Sequence, residues 1–199
     1  GPSGTGKTSL VNALGEILGF QTKIIPVQPN WIGRQDLIGA YDPIRKLYYP
    51  SAIVDMLVEA AHDPERLFVI CLDEINLGKV EYYFADFLSV TEQDQPELDL
   101  YSQSEYDMNW QELSFYVKEN FSEQFNGTAE WEIRLRQNQD MTIEKRVELT
   151  KRLTNLRQFP SYIPIPKNVR FVGTMNMDGS ITPLSPKVID RSYVLELNR

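Results

Sequence analysis

The sequence predicts an α/β fold built on a parallel sheet, and three observations lead there. Short apolar runs recur along the chain, stretches of helical period lie between them, and the glycine-rich opening GPSGTGKTSL passes at once into one of those helical stretches. The runs KIIPVQ (23–28), LFVICL (67–72), VRFVGTM (169–175) and SYVLEL (192–197) read as strands. Three of them are apolar enough to be covered on both faces, as strands of a parallel sheet are. Residues 8–18, 51–63 and 78–93 read as helices, the second capped by Ser51 and the third turning Val80, Phe84, Phe87 and Leu88 inward.

An acidic, mainly helical insertion over 92–160 is expected within a core domain that spans 1–199. Residues 92–149 hold 14 Asp and Glu against 5 Lys and Arg, a larger negative surplus than the −8 of the whole chain. Trp110, Leu113, Val117 and Phe121 recur at helical spacing, and after the turn signal Asn126-Gly127 so do Val147, Leu149, Leu153 and Leu156. Such faces are buried when folded, so the acidic stretch reads as a packed element with its aromatics in the core.

Composition excludes several classes. The net charge argues against a chain that is, as a whole, a basic nucleic-acid-binding surface. One cysteine, Cys71, and one histidine, His62, rule out a disulfide framework and a Cys/His zinc site, and point to a reducing, cytoplasmic setting. No apolar run approaches the ~20 residues of a membrane span. His62 reads as a helix-end residue, and Trp31, Tyr48 and Tyr49 read as packing residues before pore-lining ones.

Four motifs carry chemistry. Residues 1–8 fit G-x-x-x-x-G-K-[ST]. Backbone N–H groups of Gly1, Pro2, Ser3, Gly4, Thr5 and Gly6, less the proline's missing one, would turn inward on phosphate oxygens. Lys7 would neutralise their charge and Thr8 would ligate Mg²⁺. The run LFVICLDEIN ends a buried strand in two carboxylates: Asp73 would orient the Mg²⁺ or its water, and Glu74 would accept a proton from an attacking water. The strand 169–175 runs out into Thr174, Asn176 and Asp178, with Asn176 at hydrogen-bonding reach of that water. In LSPKVIDRSYVLEL, a short helix precedes a strand and Arg191 stands at the junction, suited to stabilising charge on a neighbouring subunit's γ-phosphoryl group. Lys187 lies on the same helix.

In order, these four elements resemble those of the AAA+ ATPases: phosphate loop, acidic strand end, sensor asparagine and arginine finger. The segments 27–44, 72–93, 165–178 and 185–197 are similar to the dynein-related branch, closest to the McrB-type NTPases of modification-dependent restriction systems. The resemblance covers the chain except for the insertion. It implies a three-layer αβα sandwich with strand order 5-1-4-3-2, whose first strand would precede Gly1 and whose lid would follow Arg199. The MNMDGS loop keeps Met175, Asn176, Asp178 and Ser180 of the family pattern, but is one residue short and has Gly179 where arginine is expected. The base therefore stays open between ATP and GTP.

The expected function is Mg²⁺-dependent NTP hydrolysis by a subunit of a hexameric ring. Gly1 to Thr8 and Asp73 would bind nucleotide, Thr8 and Asp73 would hold the metal, and Glu74, Asn176 and Arg191 would be catalytic. The resemblance further implies a nuclease partner and DNA contact through other domains. A MoxR-like protein-remodelling ATPase shares every one of these residues, and a nucleotide-dependent assembly scaffold remains the alternative outside enzymes.

Overall fold

A computed structural model describes residues 6–91, 93–120, 128–176, 184–190 and 192–195. In chain order the elements are α1 (Lys7–Leu18), β1 (Gln21–Pro26), α2 (Arg34–Ile38), β2 (Gly39–Asp42), β3 (Leu47–Pro50), α3 (Ala52–His62) and β4 (Phe68–Asp73). A 3₁₀ turn (Ile75–Leu77) leads to α4 (Val80–Tyr83), α5 (Ala85–Val90), β5 (Glu97–Asp99), α6 (Gln103–Asn120), α7 (Thr128–Gln137), α8 (Ile143–Gln158), β6 (Tyr162–Pro164), β7 (Val169–Gly173) and α9 (Pro186–Ile189). The chain divides into two compact units, one of residues 1–39, 50–98 and 164–199, the other of 40–49 and 99–163.

The first unit is an α/β layer around a parallel sheet of order β1-β4-β7. Gln21 pairs with Phe68 through to Pro26 with Asp73, and Phe68 pairs with Val169 through to Leu72 with Gly173. Only the middle strand is buried along its length: Phe68 to Leu72 are inaccessible, whereas β1 is half-buried and Val172 of β7 is exposed. A central parallel strand covered on both faces reads as a continuous apolar run, as residues 68–72 do. Ile53, Val54, Met56, Leu57 and Ala60 form the buried face of α3; full burial of each large side chain among them contributes about 1.5–3 kcal/mol. Ser51 caps this helix as expected, its Oγ accepting from Ile53 N (3.2 Å) and Val54 N (3.4 Å). At the other end Asn168 donates its Nδ2 group toward the carbonyls of Ala60, Asp63 and Arg66 (2.8–3.0 Å), closing the turn into β4.

Two expectations are corrected here. Residues 78–93 do not form one helix: α4 and α5 meet at Phe84, whose φ of −108° departs from helical backbone. The Phe84 ring stacks on Phe87 (5.3 Å between centroids) and meets Phe171 edge-on (5.9 Å), and Tyr83 takes the buried place expected of Phe84. Residues 192–195 are not strand, and Tyr193, Val194 and Leu195 are exposed. Alternating apolar residues become a strand only where a neighbour supplies the ladder, and among the described residues the second edge of β7 has no partner strand. The rest of the SYVLEL run lies outside the described residues.

The second unit packs α6, α7 and α8 around Leu113, Leu135, Leu149, Leu153 and Leu156, with Tyr106, Trp110 and Trp131 against them. The expected inward residues Leu113, Val117, Leu149, Leu153 and Leu156 are buried, but Val147 is exposed and Phe121 lies outside the described residues. Val147 falls on the ridge beside the buried one, the face that α8 turns away from its Leu149-Leu153-Leu156 stripe. The hairpin β2–β3 belongs to this unit: Asn155 grips the backbone of Tyr48 with both ends of its amide (2.7 Å each). No helix among the described residues is long and apolar enough to cross a membrane.

Candidate functional site

The polar ends of three segments converge at the carboxyl edge of the sheet, where parallel α/β folds place their ligands. The first is the start of α1. Gly6 takes the left-handed conformation (φ 72°, ψ 22°), which a glycine adopts without Cβ strain. That turn sets Lys7 and Thr8 in the first helical turn, with Leu10 N bonding back to Gly6 O (2.8 Å).

The second is the end of β4. Asp73 is the last strand residue, and Glu74 immediately after it is left-handed (φ 56°, ψ 50°). A non-glycine residue held there costs on the order of 1–3 kcal/mol, so neighbours must fix it. Thr174 does so, its Oγ1 accepting from Glu74 N (3.0 Å) while donating to Asp73 Oδ1 (2.5 Å). The 3₁₀ turn that follows is braced by Tyr83, whose hydroxyl donates to Ile75 O (2.8 Å) and whose pKa burial pushes up. Gly173 lets this turn lie against β7, since a Cβ there would stand 2.8 Å from Ile75 Cδ1.

The third is the run-out of β7, from which Asn176 bridges the other two. Its Oδ1 accepts from Lys7 Nζ (2.7 Å) and its Nδ2 donates to Glu74 Oε1 (2.7 Å). A cation on one side and a carboxylate on the other dictate that orientation of the amide. Thr8 Oγ1 donates to Asp73 Oδ1 (2.6 Å). Asn76, buried on the 3₁₀ turn, donates its Nδ2 to Asn176 O (3.0 Å), and its Oδ1 has no partner among the described residues.

Thus Lys7, Thr8, Asp73, Glu74 and Asn176, predicted from separate motifs, form one hydrogen-bonded cluster. Gly1, Pro2, Ser3, Gly4, Thr5, Asp178 and Arg191 lie outside the described residues. Thr174 and Asn76 are the partners that sequence reasoning left without a role. Thr174 stands two residues before Asn176, the strand spacing that puts side chains on one face; Asn76 carries no comparable signal. Cys71 is buried in the middle strand, and burial, then the neighbouring Asp73, pushes its thiol up to about 11, which disfavours the thiolate.

Chemically, the cluster offers hard oxygens to a cation and an ammonium to an anion. No group of three or more His, Cys, Asp or Glu gathers among the described residues. The hydroxyl of Thr8 and the carboxylate of Asp73 nevertheless suit Mg²⁺, which is ordinarily held by one or two protein oxygens, with water and phosphate completing its shell. Glu74 has its second oxygen available to a water. Compared with family models and with curated proteins, the sequence matches neither.

Proposed function

We propose that the chain is the nucleotide-hydrolysing core of an AAA+ ring NTPase of the McrB type, cleaving the γ-phosphate of ATP or GTP with Mg²⁺. One observation carries the reading: side chains from the starts and ends of three segments distant in sequence meet as Lys7-Asn176-Glu74 and Thr8-Asp73. A structural turn has no use for an ammonium, an amide and two carboxylates in that order. The sheet supports the reading too, because β7, β4 and β1 lie in the sequence that strands 4, 3 and 2 hold in the 5-1-4-3-2 arrangement.

In this mechanism an entering triphosphate takes Lys7 from Asn176 and binds it through β and γ oxygens. The released Asn176 Oδ1 then accepts from the attacking water, while its Nδ2 keeps Glu74 aimed at the same water. Glu74 takes the proton as the oxygen–phosphorus bond forms and the bond to the leaving diphosphate breaks. Thr8 and Asp73 would hold Mg²⁺, which supplies charge neutralisation on the phosphates when bound. Arg191 would act on a neighbouring protomer's γ-phosphate. A hexameric ring, a nuclease partner and DNA contact through other domains belong to the same proposal, as does a cytoplasmic setting.

Phosphate release from ATP and from GTP, with and without Mg²⁺, tests the reading. Mg²⁺-dependent release that Lys7→Ala removes is expected. Failure of both triphosphates to bind and turn over in the wild-type protein would overturn it.

A further inference from the structure

The second unit holds a groove of about 790 Å³ between β3 and α8 that the nucleotide site does not use. Arg146, Thr150, Thr154 and Gln158 line it at a spacing of four residues, and Val147, Lys151 and Asn155 form the next ridge. Two ridges across three helical turns give a furrow about 18 Å long. Arg136 of α7 and Leu47 and the half-exposed ring of Tyr49 of β3 complete the lining.

Its charge runs against the rest of the molecule. The chain carries −8 overall, yet the groove presents three cations and no carboxylate among its lining residues. Arg146 is oriented by donating to Asn138 O (3.0 Å). Arg136 pairs with Glu132, but its side chain is 63% exposed, and such a pair is readily exchanged for another anion. Lys151 is exposed and has no acidic partner among the described residues. The Thr150 hydroxyl is buried behind the groove wall with no hydrogen-bond partner among the described residues.

We infer that this groove binds single-stranded nucleic acid, its phosphates on Arg136, Arg146 and Lys151 and a base stacked on Tyr49. The furrow is longer than a mononucleotide needs. Its lining combines three cations with an exposed aromatic ring, the two kinds of partner that a strand's backbone and bases demand. The inference is independent of the nucleotide-hydrolysing reading, since none of its residues belongs to that site.

Fluorescence anisotropy of a labelled single-stranded oligonucleotide against the full chain tests it at low salt. Binding with a Kd at or below about 100 µM is expected, with log K falling against log salt at a slope near −2, from about 0.7 per phosphate contact. Lys151→Glu should weaken binding tenfold or more, Tyr49→Ala several-fold, and Lys151→Ala should flatten the slope by about 0.7. Unchanged melting of each variant guards against misfolding, which exposed positions make safe to test. No binding at that concentration, unchanged affinity in Lys151→Glu or Tyr49→Ala, or equal displacement by polyglutamate would overturn the inference, the last in favour of an acidic peptide.

Discussion

The cluster around Asn176 and the cluster around Asn109 are built from the same parts, an asparagine amide set among cations and carboxylates, but in different surroundings. Asn109 is 1% exposed and receives Arg152 Nε (3.0 Å) on its Oδ1 while donating to Lys46 O (2.9 Å); Arg152 and Lys46 both reach Glu112. Every bond there ties a helix to a helix or to the β2–β3 hairpin. Asn176 is only partly buried, and its side-chain partners Lys7 and Glu74 come from the start of α1 and the end of β4. A network in which the amide accepts from a buried guanidinium and donates to a backbone carbonyl is scaffolding. One in which part-buried side chains bond to one another at a sheet end can trade partners with a ligand.

That contrast can be broken by mutation. Lys7→Ala should reduce turnover by about 10²–10³-fold while stability changes by no more than about 0.5 kcal/mol; a large fall in the urea midpoint would make Lys7 scaffolding as well. Arg152→Met should do the reverse in the other unit, destabilising it by about 3 kcal/mol, at the low end for a broken buried pair because Glu112 is half-exposed. Asn155→Ala leaves the Tyr48 backbone with two lost partners and should cost about 2 kcal/mol, read as a shifted urea midpoint with an unchanged slope.

The smallest expected effect is on pH dependence. Hydrogen bonding from Lys46, then from Arg152, holds Glu112 below the ordinary carboxylate value of 4.5. A depressed carboxylate contributes stability that is fully present above 4.5 and is lost as pH falls through its folded value. Glu112→Gln should therefore flatten the acid side of the stability profile of the second unit. An unaltered acid limb would remove Glu112 from that role.

Much of the first unit was legible because its signals are local. An unbroken apolar run marks the buried middle strand, and G-x-x-x-x-G-K-T and Asp73-Glu74 name their chemistry within a few residues. The parts that were not legible depend on distant partners. The hairpin β2–β3 has no alternating pattern of its own, and Asn155 and the stack of Tyr41 and Tyr48 on Tyr101 hold it. Helix α7 gives Leu135 and Trp131 to the core among its described side chains, too few to show a period. The kink at Phe84 follows from Phe171, far along the chain. The SYVLEL run shows the opposite failure, a strand pattern with no ladder to join over its described residues. In the site, the five side chains were named by motif, but the bridging geometry of Asn176 and the support from Thr174 and Asn76 come only from the fold.

The central claim is that the sheet-end cluster performs hydrolysis, with Glu74 as the group that takes the proton. Single-turnover phosphate release by Glu74→Gln, measured beside triphosphate affinity in Mg²⁺, tests it most directly. Affinity close to wild type and turnover lower by about 10²–10⁴-fold are expected. Phosphate release at the wild-type rate would contradict it.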